Sequence, residues 1–437
     1  MTSLPPLSPL TTTGSIVSVH GTTIIAKLPR ASVGDLCWIE TRHRGALYGQ
    51  IISFQDTLFS LALFDNPDGV YPGTIVRTRG GQLEIPVSDA LLGRTVGPLG
   101  APIDALSEHI PASSRRPLFA EPPSPTSRPL IDSVLSTGIR SIDGICTIGQ
   151  GQRVAICASA GVGKSTLLGM IAHRAAVDVI VVALVGERSR EVREFIDETL
   201  GPEGLARSVV VVATSSDSSL LRQTAPYTAT TIAEYFRDQG KRVLLIVDSL
   251  TRMARAIRET TLSAGELPVR HGYTTSVYTQ LPRLLERAGT AHRGSITALY
   301  TVLTNTDDDI DPLADEIKSL LDGHIVLRPE IAQLGIRPAI DITQSISRLF
   351  SRLNTIQQQE AARGVTHALH RLIKEREIIA LGGNPDAELR TIIDNQHRIV
   401  ALLSQMTNES TPHERAHEAV SEVWSHLKGA TKNLSNE

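Results

Sequence analysis

The chain has 437 residues, of which 41% are hydrophobic and 20% charged, and its net charge is -3. That is ordinary globular composition with room for two or three domains, and it offers no basic excess for nucleic acid or an anionic membrane surface. No apolar run approaches the roughly 18 residues of a spanning helix, and the first 26 residues carry no charged side chain, so the basic flank of a signal peptide is missing and a soluble, non-secreted protein is expected.

Residues 1–14 hold three prolines and no charge. Proline lacks an N–H and fixes φ, so a flexible tail is predicted there. From residue 15 to about 85, short β-rich runs such as "TTIIAKL", "GALYGQIISF" and "LFSLALF" alternate with His20-Gly21, Gly34-Asp35, Arg44-Gly45 and Gly80-Gly81. Many short strands broken by turn signals predict a small β-barrel or sandwich. Residues 107–130, rich in Pro and Ser, read as an extended connector.

Residues 86–350 read as one α/β domain. Strands are predicted at 153–158, 177–185, 208–214, 242–248, 295–303 and 323–327, with helices at 164–176, 189–200 and 227–239. Continuous Val/Ile runs fit strands buried on both faces, hence a parallel sheet with helices on each side. Residues 351–437 read as a C-terminal helical domain. Val365, Ala368, Leu369, Leu372 and Ile373 form one apolar stripe, and Leu389, Ile392, Ile393, Val400 and Leu403 another. Thr411-Pro412-His413-Glu414 is a capping box that opens a last helix, with Gly429 as its stop. Cys37, Cys146 and Cys157 lack ligand or redox spacing and are expected as buried free thiols. The 13 histidines are read as scattered, without H-x-x-x-H or H-E-x-x-H spacing, and are expected as surface or packing residues.

The chemistry concentrates in "CASAGVGKST", residues 157–166. The phosphate-binding pattern is G-x-x-x-x-G-K-[ST], and the first glycine position is Ala158. The segment follows an apolar strand and opens a helix, as the mechanism requires. Backbone N–H groups of Ala158, Ser159, Ala160, Gly161, Val162 and Gly163, with the positive helix end at Lys164, Ser165 and Thr166, then face the phosphates of ATP. Lys164 neutralises the β- and γ-phosphates, and Ser165 ligates Mg²⁺. A second strand ends in Asp248, a carboxylate for the metal. A third ends in Glu187, followed by Arg188, and can reach the water that attacks the γ-phosphate.

Beyond these motifs, "GERSREVREFIDETLG", "TIAEYFRDQGKRVLLIVDSLTRMARAIRE", "GYTTSVYTQLPRLLERAG" and "PAIDITQSISR" resemble the hexameric ATPases related to the α and β subunits of rotary ATP synthase. The run from Pro338 to Ser347 is a specific signature of that superfamily. "AEYFRDQGK" and "DGHIVL" are most similar to its flagellar and type III secretion export ATPases. The resemblance implies a RecA-like catalytic domain, with an N-terminal β-barrel that rings a homohexamer and C-terminal helices that face the secretion apparatus. It makes Glu187 the catalytic glutamate, Arg188 a phosphate-site arginine and Arg348 a finger reaching the neighbouring subunit's γ-phosphate. Tyr273 and Gly272 fall near the central pore. Arg337 stands where the family places an adenine-stacking Tyr, and an Arg plane can also stack on a base. The Pro-rich tail replaces the family's amphipathic N-terminal helix, which docks a stator or regulator protein.

The implied partners are an export-gate membrane protein, that stator or regulator protein, a central stalk protein and chaperone–substrate complexes, with no nucleic acid. The implied place is cytoplasmic, with peripheral association only at the inner face of the inner membrane. Three other readings share part of the pattern: a catalytic-type subunit of a rotary F/V-type ATPase, an RNA-translocating ring of the transcription-termination kind, and a scaffold ring that binds nucleotide without turnover.

Overall fold

The computed structural model describes residues 11–41, 45–106, 109–304, 311–380 and 384–434. The Pro-rich part of the expected tail, residues 1–10, lies outside them. Strand structure starts at Thr12, ahead of the expected residue 15, and Thr12 and Thr13 pair with Thr78 and Arg77 to close a barrel. Gly14 fits there because a Cβ would collide with the Lys27 carbonyl oxygen.

The barrel runs in the order Thr12–His20, Thr23–Lys27, Leu58–Leu63, Gly45–Gln55, Leu36–Thr41, Ile75–Thr78 and back to the first strand. Alternate side chains point inward, so Ile16, Ile24, Ile39, Leu47, Ile51, Leu61 and Val76 fill it.

The second body is a nine-stranded sheet. Across it lie Ile346–Ser347, Gly323–Leu327, Arg153–Ala158, Ser295–Leu303, Arg242–Asp248, Val179–Glu187, Ser208–Thr214 and Thr95–Val96. The pairings from Gly323–Leu327 to Thr95–Val96 are parallel; Ile346–Ser347 and Gly289–Thr290 pair antiparallel with their neighbours. The central strands feed both faces. Val154, Ile156, Ile180, Val182 and Leu184 join one core, whereas Ala155, Cys157, Val181, Ala183 and Val185 join the other.

Three helices depart from expectation, the last of them at the C-terminus. The helix predicted over 227–239 spans Ser219–Asp238 and contains Pro226. Proline removes one intrahelical bond and costs about 3 kcal/mol, but the helix is held at both ends of that defect. The Ser218 hydroxyl accepts from the Leu221 N–H, and Leu220, Ala225, Ala229 and Ile232 are buried against the sheet. The expected helix 189–200 is α-helical over Ser189–Glu194 and then widens into a π-turn over Phe195–Leu200.

The connector is partly structured: Ser114–Pro117 pairs with Glu84–Val87, and Leu118 is buried. It is anchored by Arg287, a guanidinium at 1% exposure. Arg287 Nε and Nη2 donate to the Glu234 carboxylate at 3.0 and 2.6 Å, Nη2 also donates to the Thr231 hydroxyl, and Nη1 donates to the Leu118 carbonyl. The C-terminal helices pack on the same body. The last, His413–Leu434, continues past Gly429, and its Ala416 and Val420 lie against Gly144.

At the start of that helix, His413-Glu414-Arg415-Ala416-His417 has the H-E-x-x-H spacing of zinc helices, a run that the reading of the histidines as packing residues passes over. The structure supplies no third ligand: no group of three or more metal-ligating side chains occurs among the described residues. Instead the two rings pack edge to face at 4.6 Å, His417 is buried, and neither of its nitrogens finds a partner among the described residues. Burial, with His413 beside it, pulls the His417 imidazole down to about 4.

Two outcomes are expected. Glu234→Leu, which strands a buried guanidinium, should cost about 3–5 kcal/mol in urea unfolding, and adding Arg287→Met should recover most of it. Because the folded imidazole binds its proton less readily than the unfolded one, stability should fall as pH drops from about 6.5 towards 4. His417→Leu should flatten that slope in thermal melts followed against pH.

Candidate active site

The strands ending in Ala158, Leu303, Asp248 and Glu187 are neighbours, and parallel pairing brings their carboxyl ends to one edge. A cavity of about 680 Å³ opens there. Its floor is the turn from Ser159 to Gly163 and the first turn of the helix Lys164–Arg174. Gly161 and Gly163 have φ of +80° and +99°, values that L side chains rarely adopt, and a Cβ on either would meet open space. Glycine is therefore required by backbone conformation. Ala158 pairs in register with Leu303 and Leu327 as the last residue of its strand. Position 158 is extended and buried, so alanine fits where the pattern has glycine.

Lys164 Nζ donates to Asp248 Oδ1, which also accepts from the Thr301 hydroxyl at 2.7 Å. Asp248 is buried, while Ser165 and Thr166 are exposed at the mouth. A bulge between Val185 and Glu187 in the pairing with Ser208–Thr214 re-aims the end of that strand. Glu187 is buried, and the Arg252 guanidinium holds it at 2.6 Å while also donating to the Gly186 carbonyl. Burial, a hydrogen bond with the Glu191 carboxyl and the negative Asp248 raise Glu187 to about 7, against the pull of Arg252. Glu191, the partner in that hydrogen bond, is lowered. Arg188 projects from the rim, largely exposed, 3.9 Å from Glu191.

The structure thus gathers Ser159, Ala160, Gly161, Gly163, Lys164, Ser165, Thr166, Glu187, Arg188 and Asp248 around one cavity. Ala158 and Val162 shape the loop from outside it, Val162 by packing on the core. Arg337 and Arg348 are exposed and do not line it. The Arg348 side chain is 3.4 Å from the Ser319 carbonyl. Tyr273 lies under the Arg258 guanidinium beside the turn at Gly272.

Three site residues were not singled out in the sequence. Glu191 follows Glu187 by four residues, in the first turn of the next helix, and Arg252 lies in the first turn of the helix after Asp248, so spacing could have flagged both. Thr301 lies mid-strand with nothing to mark it. The site fits a metal-bound triphosphate. Loop N–H groups and a helix N-terminus face the cavity, Ser159 Oγ is buried without a hydrogen-bond partner among the described residues, and a hydroxyl and a carboxylate flank Lys164.

These features define a phosphate-loop nucleoside triphosphatase on a parallel sheet. Residues 138–347 match the ATP synthase alpha/beta family, nucleotide-binding domain. The chain is 44% identical over 405 residues to the flagellum-specific ATP synthase of Treponema pallidum, covering 92% of this chain and 90% of that one. It is equally 44% identical over 414 residues to the type 3 secretion system ATPase of Xanthomonas euvesicatoria, covering 94% and 93%. The solved structure of the assembled ATPase EscN from the enteropathogenic E. coli type III secretion system superposes with a TM-score of 0.89 at 42% identity, covering 94% of this chain and all of that one. The chain belongs to the export ATPases of flagellar and type III secretion systems, and these relatives favour that family over the rotary-subunit and RNA-translocating alternatives.

Proposed function

We propose that this chain hydrolyses ATP as one subunit of a homohexameric ring and that turnover drives protein export through a flagellar or type III secretion apparatus. The observation that carries the reading is a split: Lys164, Asp248 and Glu187 converge on one cavity, while Arg348 stays exposed outside it. A second copy is needed to complete the site. EscN is described as assembled, and a second EscN structure, TM-score 0.85, is described in complex with a central stalk, EscO. Among the described residues no helix is long and apolar enough to cross a membrane. Cytoplasmic placement, peripheral at the inner membrane, belongs to this proposal, as do contacts with an export gate, a stator or regulator, a central stalk and chaperone-bound substrates.

The roles of the cavity residues are read from their positions, and those of Arg337 and Arg348 from the family resemblance. N–H groups of the loop 159–163 cradle the phosphates, and Lys164 leaves Asp248 for the more highly charged γ-phosphate. Ser165 and Asp248 would hold Mg²⁺, which would neutralise phosphate charge. Arg252 fixes the Glu187 carboxyl so that it orients water and takes up a proton. Arg337 lies towards the base. Arg348 of one copy stabilises charge at its neighbour's γ-phosphate, a role worth about 10³–10⁵ in rate in related phosphoryl transfer.

Turnover should be lost in Lys164→Ala, Glu187→Gln and Arg348→Ala alike, each still forming rings. Mixing the last two should restore activity, because seams that pair an intact Glu187 with an intact Arg348 make up about a quarter of a random equal mixture. A mixture as inactive as its parents would remove the shared site. Turnover should also be pH-dependent. kcat/KM should rise through an apparent pKa near 7 as Glu187 loses its proton. Glu191→Gln, which replaces a carboxylate acceptor by an amide donor, should move that limb to lower pH.

A further inference from the structure

The turn between the helices Gln396–Leu403 and His413–Leu434 is strapped to the nucleotide-binding body. Gln405 sits at its centre, 5% exposed. Its main-chain N–H donates to the Arg337 carbonyl at 2.7 Å. Its side-chain Nε2 donates to the Gly138 carbonyl at 2.7 Å and to the Glu409 carbonyl at 3.0 Å, and its Oε1 accepts from the Arg140 N–H at 2.9 Å. Around it, Ser404 Oγ donates to the Gly335 carbonyl at 3.1 Å, and the Arg140 guanidinium caps the helix end through the Leu402 and Ser404 carbonyls. Arg174, last residue of the phosphate-loop helix, donates to the Thr407 carbonyl.

This turn therefore holds both the segment Gly335–Arg337 and the far end of the phosphate-loop helix. Apolar contacts among Val365, Ile392, Ile399 and Val420 already pack the C-terminal helices. A buried amide whose bonds reach across to Gly138 and Arg140 adds fixed orientation to that packing.

We propose that Gln405 is a positioning residue for nucleotide binding: it holds the main chain of Arg337 in place against the phosphate-loop body, so that the C-terminal helices set how tightly nucleotide is held. The proposal rests on the reading that Arg337 lies towards the base.

The test is ATPase kinetics on the full chain. Gln405→Met keeps length and volume but loses both side-chain bonds across the seam. It should raise KM for ATP about 3- to 10-fold while kcat stays within about 2-fold. A merely structural role would instead lower the melting temperature and kcat together and leave KM in place, and that result overturns the proposal. Arg337→Ala should also raise KM, and the double variant should be no worse than Arg337→Ala alone, because the two act in series. Additive effects overturn the proposal. If Arg337→Ala leaves KM unchanged, the base reading falls and takes the proposal with it; if only Gln405→Met does, the base reading stands and the proposal falls. Should Gln405→Met fail to fold, Ser404→Ala, at a half-buried position on the same strap, should raise KM about 2-fold, and an unchanged KM overturns the proposal.

Discussion

Parallel pairing of seven adjacent strands is the constraint on which the rest of the molecule depends. In a parallel sheet all carboxyl ends emerge at one edge, and only there can residues far apart in sequence meet. Lys164 and Asp248 are 84 residues apart and pair directly; Glu187 joins them from a third strand. Such a sheet must be covered on both faces, which is why its strands read as unbroken apolar runs and why two separate cores flank it. Burial holds the strand ends in place, and the functional groups inherit their positions from it.

The electrostatics of the cavity then decide what it receives. Asp248, Glu187, Glu191, Glu194 and Glu198 all border it, against Lys164, Arg188 and Arg252. A bare triphosphate would meet a surplus of carboxylates and be repelled, whereas the same group paired with a divalent cation brings little net charge. The carboxyl pair Glu187 and Glu191 reduces the surplus by sharing a proton, which raises one and lowers the other. The cost of crowding acids is thus turned into a group that titrates near neutrality, where a proton acceptor is most useful.

Much of this was legible in the sequence. Strand candidates at 153–158, 208–214, 242–248, 295–303 and 323–327 coincide with the strands found, because a doubly buried strand permits little but Val, Ile, Leu and Ala. Asp248 and Glu187 were legible because each is a polar residue ending an apolar run, and Lys164 because the phosphate-binding pattern marks it. The helix around Pro226 was not, since local propensity stops a helix there and only tertiary packing against the sheet overrules it. Arg252 and Glu191 act through a neighbour, and only their spacing from Asp248 and Glu187 could mark them. Thr12 was read as tail because its strand identity comes from Thr78, its partner across the barrel seam.

Arg348 is tied through the sheet to the strand that delivers the phosphate loop. It directly follows the edge strand Ile346–Ser347, and its N–H is bonded to the Asp322 carbonyl at 3.0 Å. That strand pairs with Gly323–Leu327, which in turn pairs with Arg153–Ala158, the strand that delivers the phosphate loop. Asp322 also accepts from Arg153 Nε at 3.0 Å. Close-packed strands tied by hydrogen bonds do not slide independently, so a displacement of the loop strand reaches Arg348 across one intervening strand. Under the proposed function, a finger mounted this way would couple its own chain's loop to the cavity of another copy.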